Sequence, residues 1–162
     1  MKLRILCLIL VFCFLLSGCS FFGERIREPV TFYYLCKNYQ ENLCCVLTPE
    51  EREASGHTGD LPYLLALYLM GPTDDEHMSP LPSETHITSS FEGETIILTL
   101  SDTASLSDID YSLACACLTM TCLDMSDAEK VIIRSGDREK VMTRNSLTLY
   151  DAISESIPTE ET

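Results

Sequence analysis

The chain has 162 residues, 46% of them hydrophobic, and a formal net charge of −14. That length suits one domain around one hydrophobic core. So acidic a composition argues against nucleic acid as a partner, because phosphate recognition is carried by lysine and arginine, and anionic lipid is repelled for the same reason.

Residues 1–18 begin with Lys2 and Arg4, continue as an apolar run from Ile5 to Leu16, and end in Ser17 and Gly18. Positive, apolar and small residues in that order are the layout of a secretory signal peptide. The run is also too short for a comfortable transmembrane helix, which needs roughly 20 residues. The stretch Leu16-Ser17-Gly18-Cys19 resembles the lipobox of bacterial lipoproteins. That resemblance implies diacylglyceryl transfer to the Cys19 sulfur, cleavage before Cys19 and, in some bacteria, acylation of the new amine by a fatty acid such as palmitate. Cys19 is then a lipidation site, the membrane is a partner through that anchor, and the protein is exported and held at the outer face of the bacterial cell membrane. Two acyl chains anchor stably where one is marginal. An ordinary cleaved signal peptide and an uncleaved signal anchor are the alternatives. Loss of residues 1–18, which hold two cations and no acid, leaves a net charge of −16.

Residues 19–29 are the lipidated cysteine and a tether. The ten residues after Cys19 reach at most about 35 Å, so the domain sits close to the bilayer. Phe21 and Phe22 can dip into the interface and Arg25 and Arg27 can meet headgroups, or the segment is a plain spacer.

The domain proper is expected over residues 30–145. Residues 30–36 (VTFYYLC) are β-branched and aromatic, a strand signature. A polar turn follows, and then residues 43–48 (LCCVLT) as the hairpin partner, ended by Pro49 because proline cannot donate to a ladder. Residues 50–59 read as a charged loop. Asp60 is placed to cap a helix with Pro62 in its first turn; Leu61, Leu64, Leu65, Tyr68 and Leu69 recur at helical spacing, and Gly71-Pro72 ends it. Residues 73–83 read as a proline-rich loop. Residues 85–91 and 95–101 make a hairpin about Gly93, with the apolar second strand central. Ser107 or Asp108 caps a second helix that runs to about Met125 and is apolar over a wide arc, so it is largely covered. Residues 130–134 form a strand, and residues 139–142 return from a turn at Gly136. Residues 146–162 form an acidic tail. The order β-β-α-β-β-α-β, with a possible last strand, predicts an α+β fold: a single small domain with one mixed sheet and both helices on one face.

Six of the nine cysteines fall in the mature domain: Cys36, Cys44, Cys45, Cys115, Cys117 and Cys122. An even number in an exported chain invites disulfides. Against that, Cys44 and Cys45 are adjacent, and Cys115, Cys117 and Cys122 share one apolar helix. Packing as small hydrophobes is the favoured reading, ahead of one or two bridges and of a metal site.

The pieces taken together resemble the GerMN domain of bacterial sporulation and spore-germination proteins. They are residues 32–35 (FYYL), 67–73 (LYLMGPT), 80–85 (PLPSET), 97–101 (ILTLS), 118–121 (LTMT), 130–133 (KVII) and Ser135-Gly136. The resemblance covers roughly residues 30–145 and suits a lipoprotein. It implies a small α/β domain used for protein–protein assembly outside the membrane, with envelope proteins as partners, no catalytic residues and no cofactor. The chain departs from the pattern in its cysteine load and in holding one apparent copy where some members hold two.

The residues show no competing chemistry. His57, His77 and His86 lack metal-site spacing, and the nucleophile elbow Gly-x-Ser-x-Gly is absent. His77 follows Asp74-Asp75-Glu76, where a loop cation site is conceivable but a solvated acidic loop is the simpler reading. Cys36 beside Lys37 is the best candidate for a reactive thiol, and it would need a histidine and an acid beside it. The expectation is a non-catalytic interaction module, with a small-molecule or cation-binding lipoprotein of the envelope as the alternative.

Overall fold

The computed structural model describes residues 29–39, 46–54 and 56–146. The signal segment, Cys19, the tether up to residue 28, Cys44, Cys45 and the tail beyond residue 146 lie outside the described residues. The elements are β1 (Pro29–Cys36), β2 (Leu47–Glu53), α1 (Leu61–Leu69), β3 (His77–Met78), β4 (Ile87–Glu92), β5 (Thr95–Leu100), α2 (Asp108–Asp124), β6 (Lys130–Ser135) and β7 (Arg138–Thr143).

The α+β class is as expected, but the strands divide into two sheets rather than one mixed sheet. One has the order β2-β1-β3 and is antiparallel; the other has the order β4-β5-β6-β7, with β5 and β6 parallel and both outer pairs antiparallel. The central place of β5 follows from its sequence, since Ile96, Ile97, Leu98 and Leu100 are all buried. Helix α2 joins the sheets, packing on β1 and also on β6 and β7, while α1 lies beside β4. One apolar cluster draws on both sheets and both helices, including Phe32, Tyr68, Leu98, Leu118 and Ile133.

The turns and caps follow local chemistry. Asp60 Oδ1 accepts from the Tyr63 N–H at 3.2 Å, and Ser107 Oγ accepts from the Asp110 N–H at 3.2 Å. Each such cap contributes about 1 kcal/mol. Gly93 (φ +61°) leads a two-residue loop between β4 and β5, and Gly136 (φ +56°) does the same between β6 and β7. These are positions where a side chain would be strained.

Strand β2 departs from expectation. It begins at Leu47, not at residue 43, runs through Pro49, and takes in residues 50–53 that read as a charged loop. The reason lies in β1. The Tyr33 N–H donates to Thr121 Oγ1 at 2.9 Å and the Tyr33 carbonyl accepts from Tyr68 Oη–H at 3.0 Å. Both groups of one strand residue point to the same side, so Tyr33 turns away from β2. Its partner Pro49 therefore occupies a non-hydrogen-bonded pair on an edge strand, where no ladder donor is required. The same two contacts explain how β1 survives with so short a neighbour. Strand β3 pairs only with Leu35 and Cys36, and side chains from α1 and α2 satisfy the open edge at Tyr33.

Candidate functional site

The densest polar cluster of the described residues forms where β2, the end of α1 and β3 meet. Alternation along β2 turns Thr48, Glu50 and Arg52 to the face that carries Phe32 and Tyr34 of β1, and leaves Glu51 and Glu53 exposed. Glu50 is 8% exposed. Its carboxylate accepts from the Thr73 N–H at 3.0 Å, the Thr73 hydroxyl at 2.8 Å, the Asp74 N–H at 3.3 Å, His77 Nδ1 at 2.9 Å and Arg52 Nε at 2.7 Å. Burial alone pushes its pKa up. The donors, Thr73 N–H first and then His77, Arg52 and the Thr73 hydroxyl, outweigh burial and hold it at about 2, against an ordinary 4.5.

Arg52 closes the end of α1. Its Nη1 donates to the Leu67 carbonyl at 3.3 Å, and Nη2 donates to the Gly71 carbonyl and to Tyr34 Oη at 3.2 Å. Carbonyls at a helix C-terminus lack intrahelical donors and favour a cation there. The guanidinium also lies 5.3 Å from the Phe32 ring centroid and 5.6 Å from that of Tyr34. Tyr34 stacks in turn on Tyr68, centroids 4.9 Å apart and planes 3° from parallel. Burial raises the Tyr34 phenol to about 12 and pushes Tyr68 well above its ordinary value.

His77 sits 12% exposed with its Nδ1 on Glu50, so Nδ1 carries the proton while Glu50 is ionised. Its Nε2 is 3.1 Å from Thr48 Oγ1. In the β1–β3 ladder His77 is the direct partner of Cys36, a half-buried free thiol. A cysteine, a histidine and an acid therefore do meet in one region. The imidazole, however, spends one nitrogen on Glu50 and the other on Thr48, and no hydrogen bond among the described residues joins it to Cys36. The arrangement fastens β2, the end of α1 and β3 to one another. The other two histidines stand apart: His57 stacks on Tyr63 with centroids 4.3 Å apart, and His86 is exposed.

A second polar clasp holds the loop before α2. Arg138 lies over the Tyr111 ring at 4.1 Å from its centroid, and its Nη2 donates to the Thr103 carbonyl at 2.6 Å and to Thr103 Oγ1 at 2.9 Å. Thr103 Oγ1 also bonds Ser135 Oγ. Cys115, Cys117 and Cys122 are fully buried free thiols on α2, as their apolar setting implied. Burial raises Cys115 to about 11 and Cys122 to about 12, and pushes Cys117 higher still. Thiolates are scarce in such surroundings, so these three are packing groups and not nucleophiles.

Two concavities among the described residues are open to solvent. One, of about 590 Å³, is lined by Glu94, Thr95, Glu129, Lys130 and Arg144 among others; the second, of about 400 Å³, lies between Tyr111 and Arg138–Lys140. No group of three metal-ligating side chains occurs among the described residues.

Sequence reasoning missed Glu50, Arg52 and Thr73 as a unit. The available signal was Glu50-x-Arg52, the two-residue spacing that places both on one face of a strand, together with the Gly71-Pro72-Thr73 stretch already singled out.

No protein-family model matches the sequence, and no curated protein matches it. Solved structures do. The first GerMN domain of the sporulation protein GerM from Bacillus subtilis superposes with a TM-score of 0.50 at 18% identity, over 70% of this chain and 86% of that one. The tandem GerMN domains of the same protein give a TM-score of 0.48 at 13% identity, over 68% of this chain and 39% of that one. The chain has the fold of a GerMN domain.

Proposed function

We propose that the protein is a membrane-anchored, extracytoplasmic lipoprotein whose GerMN-like domain is a non-catalytic protein-interaction module, serving an envelope assembly of the kind found in sporulation or germination. The observation that carries this reading is the state of the polar cluster. Glu50, Arg52 and His77 are the groups best suited to chemistry, and each is saturated by partners within the fold. What the domain offers outward is surface. The sequence Leu16-Ser17-Gly18-Cys19, after an apolar run, supports lipid attachment at Cys19 and gives that surface its location.

The test is cell fractionation and intact mass of the native protein beside Cys19→Ala. Wild type is expected in the membrane fraction with the added mass of a diacylglyceryl group. The variant is expected to lack that mass and to keep its first 18 residues. Native protein with an unmodified thiol at position 19 refutes the anchor.

A further inference from the structure

Helix α1 holds no charged side chain from Leu61 to Leu69, and Met70 extends the apolar run. Leu61, Leu64, Leu65 and Tyr68 use one arc of the helix for the core. The opposite arc is just as apolar. Pro62, Tyr63, Ala66 and Met70 face solvent, with Tyr63 37% and Met70 80% exposed. A surface helix ordinarily turns charge to water, as α2 does with exposed Asp108 and Asp124. Tyr63, Ala66 and Met70 stand at i, i+3 and i+7, the spacing with which a helix lays a ridge into an apolar groove.

We propose that this ridge docks into an apolar groove of a partner protein whose rim carries lysines or arginines. The inference rests on the interaction-module reading and names the surface through which it works. Charge decides the occupant. Asp60 stands at the start of the ridge, and the exposed run Asp74, Asp75 and Glu76 follows its end. Of the cations nearby, Lys37 donates to the Asp75 backbone carbonyl at 3.2 Å, and Arg52, mostly covered, is spent on Glu50 and the helix carbonyls. The same acids repel an anionic bilayer. A second copy of this chain is a poor source of the basic rim, because it carries 25 acids against 11 lysines and arginines, so two copies repel one another, and Arg134, Arg138 and Arg144 are already spent on Glu139, Thr103 and Asp124.

The test places photoreactive benzoyl-phenylalanine at positions 63, 66 and 70 of the full chain in its own cells, with exposed positions 88 and 139 as controls. Irradiation is expected to link the ridge positions to one protein, through a peptide flanked by lysine or arginine. Reversing two of the acids (Asp75→Lys, Glu76→Lys) is expected to cut the yield about fivefold while leaving the melting temperature unchanged. Adducts with lipid, adducts with a second copy, or adducts undiminished by the reversal overturn the proposal. Adducts from the control positions alone overturn the ridge and keep the interaction module. A chain that gives no protein adduct at any position overturns the module itself.

Discussion

Glu50 is where burial and hydrogen bonding oppose each other most directly. Desolvation favours the neutral acid, and donors from three segments of chain favour the carboxylate and win, leaving the pKa at about 2. A group whose folded pKa is depressed contributes stability that is present above its unfolded value and lost as pH falls through the folded one. The window here is therefore between about pH 4.5 and pH 2. The shift corresponds to about 3 kcal/mol at neutral pH. Glu50→Gln is expected to remove that much at pH 7 and to flatten the loss of stability across the window, as read from urea unfolding at a series of pH values. Equal steepness in both proteins rules out Glu50 as its source. This role was not legible in the sequence. The donor Thr73 lies 23 residues away, and no local pattern pairs it with a carboxylate that follows a proline. Cys115, Cys117 and Cys122 were legible, because an apolar helix tells its own cysteines where they will sit.

At the scale of elements, the end of α1 concentrates several devices in four residues. Gly71 adopts φ +85°, its N–H returns to the Tyr68 carbonyl at 3.0 Å, and its own carbonyl takes a bond from Arg52. Nothing lies within 4 Å of where a β-carbon would stand, so a side chain meets strain in the backbone and not a clash. Gly71→Ala is expected to cost about 1–2 kcal/mol, and Gly71→Asn less, because asparagine tolerates this conformation. Thermal unfolding of the two variants checks the order; alanine no worse than asparagine contradicts a conformational origin. Helix ends, caps and both two-residue hairpin loops were readable for this reason: their chemistry is local. The two-residue strand β3 was not, since His77-Met78 becomes a strand only through Leu35 and Cys36, some forty residues earlier in the chain.

For the whole molecule, the division into two sheets decides how the domain comes apart. Periodicity places strands and helices but says nothing about which edges meet, so one mixed sheet and two sheets have the same signature in sequence. The structure joins its sheets through α2, which packs on β1 at one side and on β6 and β7 at the other. Leu118 is fully buried in the middle of that helix and belongs to the cluster shared by both sheets. Truncating it leaves a cavity that neither sheet can fill alone, so Leu118→Ala is expected to cost about 2–5 kcal/mol, a large part of a typical domain's stability. The amides of β1 and β6 are expected to lose hydrogen-exchange protection by the same amount, because each sheet is closed by the same helix. The cysteines report the same event independently. Iodoacetamide is expected to reach Cys36 in the native state and to reach Cys117 and Cys122 only at the rate of global opening, faster in the variant. Protection lost in one sheet while the other keeps its own would mean that α2 belongs to a single sheet and that the two halves fold apart.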